Sequence, residues 1–138
     1  MIKPYIKAEE EYIISLRRYF HQNPEPSMAE YNTALKIEEE LDANGIEHKR
    51  VGETGVLGVI KGKKSGNKRI VLRADIDALR IQELKQESYA SQKGGLMHAC
   101  GHDAHAAALL GAAKVLKARE EELAGEIYLF FQQGEEFG

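Results

Sequence analysis

The sequence has a single cysteine, no long apolar run and no surplus of basic charge. One cysteine cannot close an internal disulfide, which fits a reducing compartment such as the cytoplasm. No apolar stretch approaches the ~20 residues that a membrane-spanning helix needs. The opening segment Met1-Ile2-Lys3-Pro4-Tyr5 lacks the apolar core of a secretory signal. With 19 basic against 22 acidic residues and a formal net charge of −3, nothing marks a nucleic-acid partner. Internal repeats and low-complexity tracts are also missing. What remains is ordinary globular material: 43% hydrophobic and 30% charged residues in 138. That suits one domain or part of one, with a core of its own.

Periodicity predicts a helix over residues 5 to 22, with Tyr12, Ile13, Leu16, Tyr19 and Phe20 on one stripe, ended by Pro24 and Pro26. Ser27 and Glu30 have capping-box spacing for a second helix with Met28, Tyr31, Leu35 and Leu41 on its apolar face. Gly45 suits the residue just past its end. Strands are expected at 46–51, 55–60 and 69–73, with Lys63-Lys64-Ser65-Gly66-Asn67 as a hairpin turn between the last two. The uninterrupted Ile70-Val71-Leu72 predicts a strand covered on both faces. Residues 78 to 97 read as a loop. Residues 103 to about 118 are apolar nearly all round and predict a buried helix. Residues 126 to 132 predict a second buried strand. This order indicates an α/β sheet domain.

Three clusters carry the chemistry. The stretch Met97-His98-Ala99-Cys100-Gly101-His102-Asp103-Ala104-His105 gathers a thiol, three imidazoles and a carboxylate, donors suited to a borderline-soft metal. A start of the buried helix next to Cys100 would favour its thiolate. His98 and His105 are either partners that orient a ligand or hydrogen-bonded structural histidines. Asp103 either caps the helix or accepts a proton from a ligand imidazole. Asp75 and Asp77 are two apart just past a strand and would share one face, to ligate a metal or to orient a ligand histidine. The alternative is plain turn chemistry. Glu135 and Glu136 directly follow an apolar strand, where one carboxylate could bind a metal while its neighbour moves the proton of a reacting water. All three clusters lie where strands or a helix begin or end, and open α/β sheets bind ligands beyond the carboxyl ends of their strands. Gly94-Gly95 lacks the pattern of a phosphate loop.

Four segments in order resemble the metal-dependent aminoacylase and carboxypeptidase-like amidohydrolases: His21-Gln22-Asn23-Pro24-Glu25, Leu72-Arg73-Ala74-Asp75-Ile76-Asp77-Ala78-Leu79, Met97 to Asp103, and Phe131-Gln132-Gln133-Gly134-Glu135-Glu136. The nearest branch is similar to N-acyl-amino-acid amidohydrolases and hippurate hydrolases. The resemblance implies the N-terminal part of a metallopeptidase-like catalytic domain, a mixed sheet with flanking helices. It implies Cys100, His102 and Glu136 as metal ligands and Glu135 as general base. Asp75, Asp77, Asp103 and His105 would be supporting groups. It further implies zinc or manganese, two ions in full-length relatives, and an N-acyl amino acid as substrate. The resemblance also implies homo-oligomers for relatives of full length. Arg80 and Gln133-Gly134 depart from the branch, which has proline and proline-alanine there. Relatives are more than twice as long and add two histidine ligands and a lid domain, so weak metal binding and poor turnover are expected of these 138 residues.

Other readings remain open from the residues. The chain could be a non-catalytic fragment that keeps the fold. It could be a thiol hydrolase using Cys100 with His102 or His98. A structural zinc module would need four ligands in two close pairs, and one such pair is visible.

Overall fold

The computed structural model describes residues 3–137, so Met1 and Ile2 of the opening segment lie outside them. The element order is α1 (Lys3–Ala8), α2 (Glu10–Gln22), α3 (Tyr31–Ala43), β1 (Glu47–Val51), β2 (Gly55–Lys61), β3 (Lys64–Asp75), α4 (His102–Lys117) and β4 (Ala124–Gln132), with short 3-10 turns at Glu120–Glu122 and Glu135–Phe137. The expected first helix is therefore broken near Glu9 into two. No helix among the described residues is long and apolar enough to cross a membrane.

The four strands form one mixed sheet in the order β1-β2-β4-β3. β4 runs antiparallel to β2 and parallel to β3. The hairpin expected around residues 63 to 67 does not exist, because β4 inserts between the two strands that it would have joined. Val56, Ile60, Ala74, Leu129 and Phe131 point from the sheet into a single apolar cluster with Leu16, Phe20, Ile37, Leu41 and Leu110 of the helices. Each fully buried side chain of this size contributes about 1.5–3 kcal/mol. The other face is only half covered at Leu57, Val59, Tyr128 and Phe130. So β4 is buried on one face rather than two. Ile70 and Val71 are also exposed, at 53% and 63%, because β3 is an edge strand among the described residues. An unbroken apolar run did not mean two-sided burial here.

The second helix is where patterning misled most. Its buried stripe is Thr33, Ala34, Ile37 and Leu41, whereas Met28, Tyr31 and Leu35 are exposed. Ser27 does not cap it; the N-cap position is Glu30, whose side chain makes no cap hydrogen bond. The buried Glu25 carboxylate caps it instead, accepting from the backbone N–H of Asn32 at 3.2 Å and of Thr33 at 2.8 Å. These are two of the orphan donors of the first turn. The other end is as expected. Gly45 N–H donates to the Asp42 carbonyl and Ile46 N–H to that of Leu41, both at 2.9 Å, the paired bonds of a Schellman cap.

The parallel register of β3 and β4 sets up the site. Asp75 lies opposite Gln132, so the acidic residues past both strands emerge side by side. The long loop after β3 is folded back by a reciprocal backbone pair between Leu79 and Met97, both bonds 3.0 Å. That return delivers Cys100 and the start of α4 to the same strand ends.

A candidate metal centre at the strand ends

His102 opens α4 and is buried at 2% exposure. Its Nδ1 faces the Asp77 carbonyl at 2.9 Å and Asp77 Oδ1 at 3.1 Å. Both are acceptors, so Nδ1 donates to them and Nε2 is turned to the other side. Nε2 faces Asp75 Oδ1, Glu135 Oε2 and Glu136 Oε1, each 3.6 Å away. Such distances are too long for hydrogen bonds. A lone pair ringed by carboxylates is an unfavourable arrangement unless a proton or a metal cation sits among them.

Two sets of donors are close enough to share a cation: Cys100, His102 and Glu136, and Asp75, His102 and His105, with all ligand atoms of each set within 4.8 Å of one another. Donors bound tetrahedrally at ordinary metal–nitrogen and metal–oxygen lengths sit about 3.3–3.7 Å apart, which matches the spacing around His102. Glu136 Oε1 is moreover buried and has no hydrogen-bond partner among the described residues. A buried carboxylate oxygen left without a partner is costly, and a cation would satisfy it. Thiolate, imidazole and carboxylate together suit a divalent metal, and the residues present fit one.

Asp77 ties the centre together. Oδ1 holds His102, while Oδ2 accepts from Ser27 Oγ at 2.6 Å and from the Glu136 backbone N–H at 2.8 Å. One buried carboxylate thus fixes an imidazole tautomer and the turn that presents Glu136, the task that partners of metal-bound histidines usually perform. Asp75 accepts from His105 Nδ1 at 2.6 Å. Burial alone would raise the Asp75 carboxyl, but the His105 hydrogen bond and the nearby His102 outweigh it and hold it below the ordinary range.

Three expectations need correction. Asp103 neither caps α4 nor receives a proton from a ligand histidine: Gly101, in the left-handed region at φ 89°, is the N-cap. Asp103 Oδ2 instead takes His21 Nδ1 at 2.7 Å and Arg17 Nε at 2.9 Å. The Cys100 thiol is not favoured as thiolate in the metal-free chain. Its hydrogen bond to Glu136, with partial desolvation and the field of Glu136, Glu135 and Asp75, pushes it up; the carboxylates outweigh the helix dipole. His98 is buried, and both ring nitrogens are without a partner among the described residues. Burial holds it neutral, with a pKa lowered to about 4.

Sequence reasoning gave no role to a buried polar set on the end of α2 and the segment that follows it. His21 bridges Asp103 and Glu83, whose Oε1 lies 3.1 Å from its Nε2. Glu30 is fully buried and accepts from Thr54 Oγ1 at 2.5 Å and from the Gly134 N–H at 2.7 Å. Gln133, one of the family departures, accepts at Oε1 from the N–H groups of Thr54 and Gly55, at 2.7 and 2.8 Å. The available signal was a run of polar residues around two prolines, where a free loop would have looked the same.

Comparison with known proteins agrees with this geometry. The pattern of peptidase family M20/M25/M40 matches residues 71–138. The chain is 45% identical over 139 aligned residues to thermostable carboxypeptidase 2 of Saccharolobus solfataricus, covering 99% of this chain and 35% of that protein. It is 48% identical to N-acetyl-L-cysteine deacetylase of Bacillus subtilis, over 94% of this chain and 31% of the relative. Among solved structures, the YXEP protein of Bacillus subtilis, described as a dinuclear metal binding peptidase of the M20 family, superposes with a TM-score of 0.89 at 44% identity, covering 94% of this chain and 37% of that one. The chain therefore spans about a third of the length of the relatives that it matches. Residues 71–138, which carry every candidate ligand, are thus the part of the chain that is similar to peptidase family M20/M25/M40.

Proposed function

We propose that these residues are the N-terminal part of the catalytic domain of a metal-dependent hydrolase that cleaves the amide bond of N-acyl amino acids. Cys100, His102 and Glu136 would hold a divalent ion, zinc or manganese, two ions being expected where the remaining ligands are supplied. When bound, the metal would polarise the acyl carbonyl and acidify a water. Glu135 would take the proton of the attacking water and pass it to the leaving amine. Its side chain is 36% exposed and borders the same imidazole nitrogen as Glu136, so it can reach both the centre and solvent. Asp77 would keep His102 in the correct tautomer, with Asp75 and His105 as outer support. The observation that carries this reading is Nε2 of His102 set among three carboxylates while Asp77 engages Nδ1.

The names of the relatives support the substrate class, since they include an N-acetyl-L-cysteine deacetylase and plant IAA-amino acid hydrolases. A free Cys100 fits a reducing, cytoplasmic setting. The thiol-nucleophile reading fares worse, because the carboxylates of Glu136, Glu135 and Asp75 beside Cys100 push its thiol up rather than down. A structural zinc module fares worse too, because the donor set is open and anionic rather than a closed four.

Calorimetric titration with zinc and with manganese tests the proposal, alongside hydrolysis of N-acetyl amino acids with and without a chelator. Binding that is lost in His102→Ala, and any turnover stopped by the chelator, are the expected results. Unchanged metal affinity in His102→Ala would refute the assigned centre. Chelator-resistant hydrolysis stopped by alkylating Cys100 would replace it with the thiol mechanism.

A further inference from the structure

Residues 21 to 30, the end of α2 and the eight residues that link it to α3, make one buried or half-buried hydrogen bond to each of the segments that bring ligands to the centre. At its start, His21 holds Asp103 at 2.7 Å, the residue next to His102. In its middle, Ser27 holds Asp77 at 2.6 Å, the group that orients His102. At its end, Glu30 holds the Gly134 N–H at 2.7 Å, immediately before Glu135 and Glu136. These three contacts join residues 82, 50 and 104 positions apart in sequence. The segment is itself fixed to the strand end, since Ala78 N–H donates to the Glu25 carbonyl at 2.8 Å and Pro26 bridges Ala78. It is anchored to α3 by the Glu25 cap.

We infer that residues 21 to 30 act as a positioning clamp that sets the distance between Cys100–His102 and Glu136 before any metal arrives. The inference rests on the metal centre proposed above, and goes beyond it by giving a role to residues that touch neither metal nor substrate. The physical reason is geometric. The ligands sit on two independent turns, one opening α4 and one closing β4. Asp77 bonds to both turns, and residues 21 to 30 hold Asp77 itself and each turn separately. Glu30 is the strongest of the three contacts because its donor, Gly134 N–H, belongs to the glutamate turn itself. A fully buried carboxylate with two donors is also unlike a surface residue that could be changed without effect. Glu30 and Ser27 are therefore positioning residues.

The test is a cobalt(II) titration of the full 138-residue chain, followed by the thiolate-to-cobalt absorption that Cys100 gives on coordination. Glu30→Ala should weaken cobalt binding about 10- to 100-fold, the usual effect of removing a group that orients a ligand. Glu30→Gln should restore most of it, because the amide oxygen still accepts from Gly134 N–H while Thr54 turns its hydroxyl to Gln133 Oε1, 3.0 Å away. Ser27→Ala, a milder change at a half-buried residue, should weaken binding in the same direction and carries the test if Glu30→Ala fails to fold. Leu41→Ala, buried on the same helix and far along it from Glu30, should lower stability and leave cobalt affinity as it was. Wild-type affinity in both Glu30→Ala and Ser27→Ala would overturn the clamp and leave the metal centre standing. Loss of affinity in Leu41→Ala in step with Glu30→Ala would overturn it as well, by showing that stability alone is being read. A wild-type chain with no thiolate band would overturn the metal centre, and the clamp with it.

Discussion

Replacing Gly134 by alanine should destabilise the chain by about 1–2 kcal/mol, nearly all of it through the backbone. Gly134 has φ 62°, in the left-handed region that costs a residue with a Cβ roughly 1–2 kcal/mol. A second penalty looks available, since the added Cβ would come 2.6 Å from Met28 Sδ and 3.3 Å from its Cγ. Met28 is 46% exposed, however, and its flexible thioether can swing into solvent at little cost. The backbone term should therefore win. Urea denaturation followed by circular dichroism in metal-free buffer measures it for Gly134→Ala alone and in a Met28→Ala background. The penalty should be the same in both. A neutral Gly134→Ala would refute the strain argument, and a penalty that vanishes without the Met28 side chain would show that the contact dominates.

Two further effects should be measurable. The Glu25 carboxyl would be raised by its burial, but four hydrogen bonds from Asn32 and Thr33 more than offset this and hold it below the ordinary carboxylate range. Its folded value lies below its unfolded one, so its contribution is complete above the unfolded value and is lost as pH falls through the folded one. Glu25→Gln should therefore lower stability at neutral pH and flatten its acid decline; parallel stability–pH curves for the two proteins would count against the cap. Cys100 should react slowly with iodoacetamide near neutral pH despite its exposure, because Glu136 holds the proton on sulfur. Glu136→Gln should speed the reaction, and an unchanged rate would remove Glu136 as the cause.

The sequence made the elements legible wherever local chemistry decided them. Gly45 ended α3 as its position implied, and the apolar run 103–118 became α4 with its buried alanines and leucines. The convergence of Asp75, Cys100, His102 and the Glu135–Glu136 pair was also foreseeable, since strand ends and helix starts gather at one edge of an α/β sheet. Pairing was not. Nothing in residues 61 to 69 reveals that β4, some sixty positions later, lies between β2 and β3, because strand order is a long-range property. Burial of Ile70 and Val71 failed for the same reason: hydrophobicity records what a strand can cover, and not whether a cover is present. Asp103 was misread because a carboxylate at a helix start has an obvious local task. Its true partner, His21, comes from 82 residues away.

The same long-range logic explains why the centre needs so many groups that do not ligate. Asp75, Asp77, Glu135 and Glu136 crowd four carboxyl groups around one imidazole. The buried Glu136 Oε1 among them has no donor from the described residues. The fold tolerates this because Ser27, His105, the Glu136 N–H and the Asp77–His102 pair supply fixed donors around the edge. None of those donors faces the middle, where Nε2 of His102 and the Glu136 oxygen point. Hydrogen bonding thus holds the carboxylates in place around Nε2 of His102. A cation entering there would meet ligands already arranged, and its binding energy would stabilise the folded chain.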